Sequence, residues 1–420
     1  MKIFLLLIII SITQIFPAFG QYGQWTELKP KHYPPPRCNF GMTDIGEDKV
    51  IIFGGIGVDG ELDDTWIYDF NTNDWTEVQS EPKPPKRFNH GMARLGKNKA
   101  LLFGGEDTPY IKNETWVFQL DSNKWFQMDP ELKPPARVYF GISQLNGNKA
   151  LIYSGYVFEY ESPIGKDTWI YDFEKNEWNK FKYLNPWGAG QGVHCAFLDT
   201  GKVLSFSGWA GTSKDYNGIF DISLDSWKHI NPKQNATPVQ WGAMANISKN
   251  MIFLFGGSPS GKSYGNESWI FFLSDTTWNP INNIDTLPKE RSSHGIAKIN
   301  DGRILLFGGI TNGGKLGDTW LFELDTNYIH VKENISGNPE IKTFISTNNE
   351  LIINYQLPES TKAEIEIFNI NGFRVYRSKY LHAQNGWNRK VVQVENLSKG
   401  IYFVVLKANN IISAHKFLFF

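Results

Sequence analysis

Residues 49–78 read KVIIFGGIGVDGELDDTWIYDFNTNDWTEV, and the pattern within them recurs along the chain. A short apolar run ends in an aromatic residue and two small residues, a D-T-W follows, and a second Trp comes nine residues after the first. The spacings between successive triplets are 50, 50, 53, 49 and 52 residues, and the triplets begin at Phe53, Phe103, Tyr153, Phe206, Phe255 and Phe307. Six units of this length indicate one supersecondary unit repeated six times.

Each unit has the period of short strands. Runs such as Val50-Ile51-Ile52-Phe53 are apolar at every position, which is typical of a strand buried on both faces. We therefore predict a four-stranded antiparallel sheet in each unit, and six sheets packed face to face around an axis as a β-propeller. Trp25-Thr26-Glu27-Leu28 resembles Trp75-Thr76-Glu77-Val78, the fourth strand of the first unit. The Trp25 strand should therefore pair with the strand around Phe322 and close the ring.

The diglycine, the D-T-W, the second Trp and a leading Pro-Arg together resemble the kelch repeat, over residues 22–333. This resemblance implies a six-bladed kelch-like propeller. The leading arginines are Arg37, Arg87, Arg137 and Arg291. The fourth unit departs from the pattern, with Tyr216-Asn217-Gly218 in place of D-T-W and Gln191 where Arg would fall. The fifth unit has Pro238 at the Arg position.

The repeat signals stop after residue 334, and alternating strands separated by turn residues predict a small immunoglobulin-like β-sandwich. Ile367-Phe368-Asn369-Ile370-Asn371-Gly372 and Leu397-Ser398-Lys399-Gly400-Ile401-Tyr402 resemble the C-terminal sorting domain of type IX secretion cargo. That resemblance implies a partner in the secretion machinery, contacted through residues 342–420. The predicted organisation is a signal peptide (1–20), the propeller (21–333), a linker (334–341) and the sorting domain (342–420).

The N-terminus has the features of a secretory signal. A basic start is followed by the apolar run Ile3 to Ile10 and the small residues Ala18 and Gly20. We expect cleavage before Gln21, export through the periplasm, and a protein that is secreted or held at the cell surface. No later run is long enough for a transmembrane segment in the mature chain. The net charge of -1 gives no basic excess for nucleic acid.

Strand parity predicts which face of the propeller binds a ligand. The links between second and third strands are long and irregular, and they lie on the same face as the starts of the innermost strands. They carry exposed aromatic residues of the kind that grip sugars and peptides. The candidates are Tyr110, Tyr156, Phe158, Tyr160, Trp209, Tyr216 and Tyr264. The four leading arginines could ring the channel mouth and bind carboxylates; alternatively, each pairs with an acid of the next blade.

His90, His194 and His294 take one repeated position in units two, four and six, where units one, three and five have Phe40, Phe140 and Trp241. Three histidines around an axis resemble an open metal site, but packing between blades is the stronger expectation. We therefore predict neither a metal nor another cofactor.

The function that we expect is that of an exported binding protein for an unknown protein or glycan ligand. The alternative is a carbohydrate-active enzyme, such as a sialate mutarotase-like or galactose oxidase-like protein. Nothing in the sequence singles out catalytic residues, so whether the protein is an enzyme stays open.

Overall fold

A computed structural model of the chain describes residues 23–159, 163–181, 190–198, 201–208, 216–260, 262–273, 276–281, 286–324, 341–346, 350–369, 374–378, 381–394, 397, 400–409 and 411–419. Within these ranges the regular elements are all strands. They form six blades, each with four antiparallel strands, within residues 23–324, and two further sheets within residues 341–419. The predicted all-β propeller fold is therefore confirmed.

The blades follow the six sequence units in order. In the following, the strands of each blade are given from the innermost outward. Blade one has β2 (Gly41–Gly46), β3 (Lys49–Gly57), β4 (Gly60–Asp69) and β5 (Asp74–Val78). Blade two has β6 (Gly91–Arg94), β7 (Lys99–Phe103), β10 (Thr115–Gln119) and β11 (Lys124–Met128). Blade three has β12 (Gly141–Gln144), β13 (Lys149–Tyr153), β14 (Thr168–Asp172) and β15 (Glu177–Lys180). Blade four has β16 (His194–Leu198), β17 (Lys202–Phe206), β18 (Asn217–Asp221) and β19 (Ser226–Ile230). Blade five has β21 (Ala243–Ser248), β22 (Met251–Pro259), β23 (Gly265–Phe272) and β24 (Thr277–Pro280). Blade six has β25 (Gly295–Asn300), β26 (Arg303–Phe307), β29 (Thr319–Leu324) and β1 (Gly23–Leu28).

Five short strands extend the links between these elements: β8 (Glu106–Asp107), β9 (Tyr110–Ile111), β20 (Val239–Gln240), β27 (Ile310–Thr311) and β28 (Gly314–Lys315). The innermost strands of adjacent blades lie side by side in a closed ring, because β2 contacts both β6 and β25. Glycines at the start of β2, β6, β12 and β25 make this approach possible. A Cβ on Gly41 would lie 2.5 Å from Cγ of Met92 in the next blade.

The ring closes through β1, as the sequence predicted. Trp25 pairs with Phe322 in antiparallel register, and the pairing runs from Gly23 with Leu324 to Leu28 with Thr319. The indole of Trp25 is 3% exposed and packs against Phe253, Phe255 and Phe322 at centroid distances of 5.0 to 5.7 Å. The first strand of the chain is therefore a full part of the last blade.

Six tryptophans join each blade to the one before it. Each donates its Nε1–H to a side-chain oxygen that the preceding blade supplies at the start of its third strand. The bonds are Trp75 to Thr319 (3.1 Å), Trp125 to Thr65 (2.9 Å), Trp178 to Thr115 (3.0 Å), Trp227 to Thr168 (2.8 Å), Trp278 to Asn217 (2.8 Å) and Trp25 to Ser268 (3.2 Å). Asn217 thus takes the place of Thr in the irregular fourth unit, where the sequence aligned Tyr216-Asn217-Gly218 with D-T-W.

Replacing one acceptor of this tryptophan ring is expected to destabilise the propeller. Thr115→Val keeps the shape of a fully buried side chain but leaves Nε1–H of Trp178 without its acceptor. The expected loss is about 1–3 kcal/mol of unfolding free energy, measured by denaturant titration. Thr76→Val, at an exposed position on β5, is the matched control and should change little. Equal effects of the two substitutions would show that the bond contributes nothing.

The C-terminal part contains two sheets that share one core. One sheet has the order β30 (Ile341–Ile345), β31 (Glu350–Leu357), β35 (Gly386–Gln393). The other has the order β33 (Arg374–Arg377), β32 (Thr361–Asn369), β36 (Gly400–Ala408), β37 (Ile411–Phe419), with β34 (Leu381–Ala383) also beside β32. Leu351 and Ile353 of the first sheet pack with Ile365 and Val404 of the second. The structure therefore has a two-sheet β-sandwich here, and its immunoglobulin-like form stays a prediction.

Candidate functional site

The propeller has two unlike faces. The short-turn face carries the hairpins between first and second strands, such as the turn between Gly46 and Lys49. The chain also enters and leaves the propeller on this face, because Leu324 pairs with Gly23 and its N–H donates to the carbonyl of Gly302 at 2.7 Å. The opposite side, here called the long-loop face, carries the links between second and third strands.

The four leading arginines lie at the long-loop face, but their guanidinium groups point into the blades. All four side chains are fully buried, and each donates to the carboxylate that directly precedes Thr65, Thr115, Thr168 or Thr319 in its own blade. The pairs are Arg37 with Asp64 (2.6 Å), Arg137 with Asp167 (2.9 Å), Arg291 with Asp318 (2.7 Å), and Arg87 with Glu114. The alternative of an acid in the next blade is wrong, because the second-to-third link returns to the point where its own first strand begins.

The arginine pairs stabilise blades one, two, three and six and leave no exposed guanidinium face for a ligand. Nη1 of Arg37 also donates to the carbonyl of Gly54 at 3.0 Å, and its Nε donates to the carbonyl of Pro35 at 3.1 Å. Burial disfavours the ionised form of Glu114, but the hydrogen bond and charge of Arg87 outweigh it and hold the pKa of that carboxyl below its usual range. The same balance lowers the pKa of Asp318 beside Arg291.

Blades four and five lack the arginine, and a serine of the preceding blade replaces part of its bonding. In blade four the strand register places Gly190 at the arginine position, one residue before the predicted Gln191. In blade five it places Val239 there, one residue after the predicted Pro238. Ser154 Oγ accepts from N–H of Gly190 at 2.8 Å and donates to its carbonyl at 3.1 Å. Ser207 makes the same two bonds with Val239. The signal was in the sequence, since only these two triplets end in Ser-Gly instead of Gly-Gly.

The aromatic candidates on the long loops differ in exposure. Tyr110 and Phe158 are open to solvent, at 71% and 75% exposed. Tyr156, Tyr216 and Tyr264 are half-buried. Tyr160 and Trp209 lie outside the described residues. The described candidates are thus spread over several blades.

The predicted equivalence of the three histidines is wrong for His194. His90 and His294 each precede the glycine that pairs with Phe103 or Phe307, whereas His194 itself pairs with Phe206. His194 therefore stands where blades one, two, three and six have glycine, and in blade five Gly242 takes the histidine position. In the described part of the chain no three His, Cys, Asp or Glu side chains are grouped closely enough to hold a metal.

A ring of left-handed residues surrounds the axis at the long-loop face. One residue in each blade, two positions before the first paired residue of the innermost strand, has a φ between 51° and 66°. These mouth residues are Asn39, Asn89, Tyr139, Gly192, Trp241 and Ser293. Backbone bonds link them head to tail: Asn89 N–H donates to Asn39 at 2.9 Å, Asn39 to Ser293 at 3.0 Å, Ser293 to Trp241 at 2.7 Å, and Gly192 to Tyr139 at 2.7 Å.

The mouth residues combine an exposed aromatic ring with a polar cluster. The side chain of Trp241 is 40% exposed and lies beside Gly192, at which a Cβ would be 3.6 Å from Cδ1 of the indole, an ordinary contact. On the other side Asn89 donates to Oε1 of Glu106 at 2.7 Å. Burial and the charge of Glu106 raise the pKa of Tyr139, although a hydrogen bond with Asn89 partly offsets them. Positive φ at large residues is uncommon and often marks a functional site.

Sequence reasoning missed these mouth residues because they share a backbone conformation and not a residue type. In three blades the mouth residue, Asn39, Asn89 or Ser293, directly precedes a Phe-Gly or His-Gly pair. A residue that tolerates positive φ before such a pair would have identified the position. Trp241 was instead aligned with Phe40, one residue too late. Across the described ranges, no helix is long and apolar enough to cross a membrane.

Comparison with known proteins agrees with this geometry. The model of the KLHDC2/KLHL20/DRC7 Kelch-repeats domain matches residues 19–155 and 142–347, and that of the secretion system C-terminal sorting domain matches residues 347–419. Tip elongation aberrant protein 3 of Schizosaccharomyces pombe is 33% identical over 145 residues, which are 33% of this chain and 13% of that protein. Kelch domain-containing protein 2 of Bos taurus is 29% identical over 100 residues, 23% of this chain and 24% of the relative.

Adagio protein 3 of Arabidopsis thaliana is 23% identical over 171 residues, 38% of this chain and 27% of the relative. These matches span about a quarter or less of each relative's length, so they bear on the repeats alone. The sorting domain indicates export, with secretion or attachment at the cell surface. The chain belongs to the Kelch-repeat family and carries a type IX C-terminal sorting domain.

Proposed function

We propose that this secreted kelch-repeat protein is a carbohydrate-binding protein that uses the mouth residues and long loops as its binding surface. The observation that carries the proposal is the exposed indole of Trp241, in the same ring of mouth residues as Asn89, which bonds to Glu106, and Tyr139. Aromatic rings bind the apolar faces of sugars, while amide and carboxylate groups bond to their hydroxyls.

The backbone of the mouth makes this surface rigid. Each mouth residue is fixed by a left-handed conformation, and four backbone bonds connect neighbours around the ring. A rigid surface loses little conformational entropy on binding, which favours recognition by a few side chains. The exposed Tyr110 and Phe158 on the surrounding loops would extend the surface for a longer chain of sugars.

A glycan array with the mature protein tests the proposal, and Trp241→Asn is the decisive variant. Asn already occupies two of the equivalent positions and tolerates positive φ, so the backbone should persist. We expect binding to weaken by at least roughly tenfold, as for other central aromatic residues. Phe126→Ala removes an aromatic residue that is also 40% exposed, but on the outer strand β11, and should leave binding unchanged.

Two outcomes would contradict the proposal. One is glycan binding that Trp241→Asn and Phe126→Ala affect equally. The other is an array on which no glycan binds. If an extracellular protein then bound to the long-loop face, the ligand would be a protein instead.

A further inference from the structure

A cavity of about 370 Å³ lies on the propeller axis, away from the mouth residues. The residues that line it come from the innermost strands of all six blades, between their midpoints and the short-turn face. One ring of wall positions carries small side chains, which creates the space: Thr43, Ala93, Ser143, Ala196, Ala245 and Ala297. The volume is within the range of small-molecule sites in proteins.

The wall of this axial chamber is rich in hydrogen-bonding groups. Each innermost strand has a hydrogen-bonded neighbour strand on one side only, as in the order β2-β3-β4-β5. Its other edge faces the axis, and such an edge presents a row of backbone N–H and C=O groups. Six edges around one space provide donors and acceptors in many directions. A ligand with several hydroxyl groups matches such a wall.

Charge is concentrated at the end of the chamber nearest the short turns. The next ring of positions has Lys298, Asp44 and Arg94 in three consecutive blades, and neutral Gln144, Phe197 and Asn246 in the other three. Nη1 of Arg94 bonds to Asp44 at 2.6 Å. The ring itself holds two cations and one carboxylate, and a second carboxylate, Asp301, pairs with Lys298 from outside the ring, so one positive charge is in excess only when Asp301 is displaced.

Lys298 is the cation that a ligand can recruit. Its ammonium group donates to Oδ1 of Asn246 at 3.2 Å and bonds to Asp301 at 2.6 Å. Asp301 is 78% exposed, and an ion pair with such an exposed group is weak. A ligand carboxylate at this end of the chamber would compete with Asp301 for the same ammonium group.

We propose that the axial chamber binds a small polyhydroxylated monocarboxylate, a sugar acid or hydroxy acid. Its carboxylate replaces Asp301 as the partner of Lys298, and its hydroxyls bond to the strand edges and to Thr43 and Ser143. One excess positive charge matches a monoanion better than a doubly charged phosphate. This site is separate from the proposed carbohydrate surface at the other face, and the two proposals fail independently.

Isothermal titration of the mature protein with D-gluconate tests this inference, with D-glucose as the neutral comparison. We expect binding of gluconate that weakens with added salt, and weaker binding of glucose. Lys298→Gln should weaken gluconate binding by at least roughly tenfold. The matched control is Lys202→Gln, which removes a lysine of similar exposure that is paired with Asp221 at 3.1 Å on β17, outside the chamber.

A second variant keeps the test decisive if Lys298→Gln does not fold. Gln144→Glu adds a negative charge to the same ring and cancels the excess, so gluconate binding should again fall while the weak glucose binding stays. The inference is overturned if gluconate does not bind to the wild-type protein. Equal binding by the Lys298 and Lys202 variants would also overturn it.

Discussion

Deletion of residues 21–29 is expected to reduce the stability of the propeller severely. The deletion removes β1, so the outer edge of β29 loses its partner from Thr319 to Leu324. It also uncovers the core around Trp25, where Phe253, Phe255 and Phe322 meet. Removal of the Trp25 side chain alone, as Trp25→Ala, should cost about 3–5 kcal/mol, and the whole strand more.

The informative comparison is with Trp75→Ala, because Trp75 takes the same place in blade one and is 1% exposed. If β1 closes the ring, the two substitutions should lower the unfolding free energy by amounts within about 1 kcal/mol of each other. A fringe strand without a structural role would give a near-zero effect for Trp25 and a large one for Trp75. Trp387→Ala, at a position 51% exposed on the C-terminal sheet, controls for the loss of an indole as such.

The propeller is also expected to lose stability steeply as the pH falls below about 6.5, the pKa of histidine in an unfolded chain. All three histidines are buried, and burial is the main cause of their lowered pKa values. The pKa is about 3 for His90 and about 4 for His194, and it is well below its usual value for His294. The charge of Arg87 adds to the effect at His90. The charges of Arg291 and His194 add to it at His294.

The sign follows from which state binds the protons. Between about pH 6.5 and pH 4 the unfolded chain takes up protons on these histidines while the folded chain does not, so the unfolding free energy falls with the pH. At about pH 5 His90 and His194 should each cost about 2 kcal/mol, at about 1.36 kcal/mol per pKa unit, and His294 should add to this cost. Above about pH 6.5 the histidines are neutral in both states and do not lower the unfolding free energy.

Denaturant unfolding between about pH 7 and pH 5 measures this slope. Glu114 and Asp318 do not contribute in this window, because their carboxyl groups have lowered pKa values and are protonated only at lower pH. His294→Phe places at blade six the residue that blades one and three use, and should make the slope shallower. His382→Gln changes an exposed histidine on β34 and should leave the slope as it was. A propeller that is equally stable at both pH values would contradict the buried, neutral histidines.

The sequence predicts the parts of this molecule in which residue type and spacing repeat together. The six units, the closure by Trp25 and the replacement of Thr by Asn217 all follow from tryptophan spacing, because the second Trp of a unit comes ten residues after the Thr position of the same unit. Register fails by one residue in blades four and five, where neither the arginine nor the first glycine is present to anchor it. His194 and Trp241 were misplaced for that reason.

The candidate sites are less visible in the sequence for two physical reasons. The mouth residues share a φ value that Asn, Tyr, Trp and Ser all adopt here, so no single residue type marks them. The axial chamber is lined by small side chains at Ala93, Ala196, Ala245 and Ala297. Alanine in a single strand does not indicate a cavity, because the cavity forms only when six such strands face one axis. For the leading arginines the repeated motif is easy to see in the sequence, but their side chains are buried within the blades and do not form a surface site.

The closure by β1 also sets the order in which the molecule can be completed. Trp25 belongs to the first strand to be synthesised, and its partner Phe322 belongs to the last strand of the propeller. A contact between residues so far apart in sequence carries a large loop-closure entropy and raises the contact order, which slows folding. Blades one to five can form hairpin by hairpin as the chain emerges. The sixth stays incomplete until the N-terminal strand returns, so the last step of folding must follow synthesis of the whole propeller.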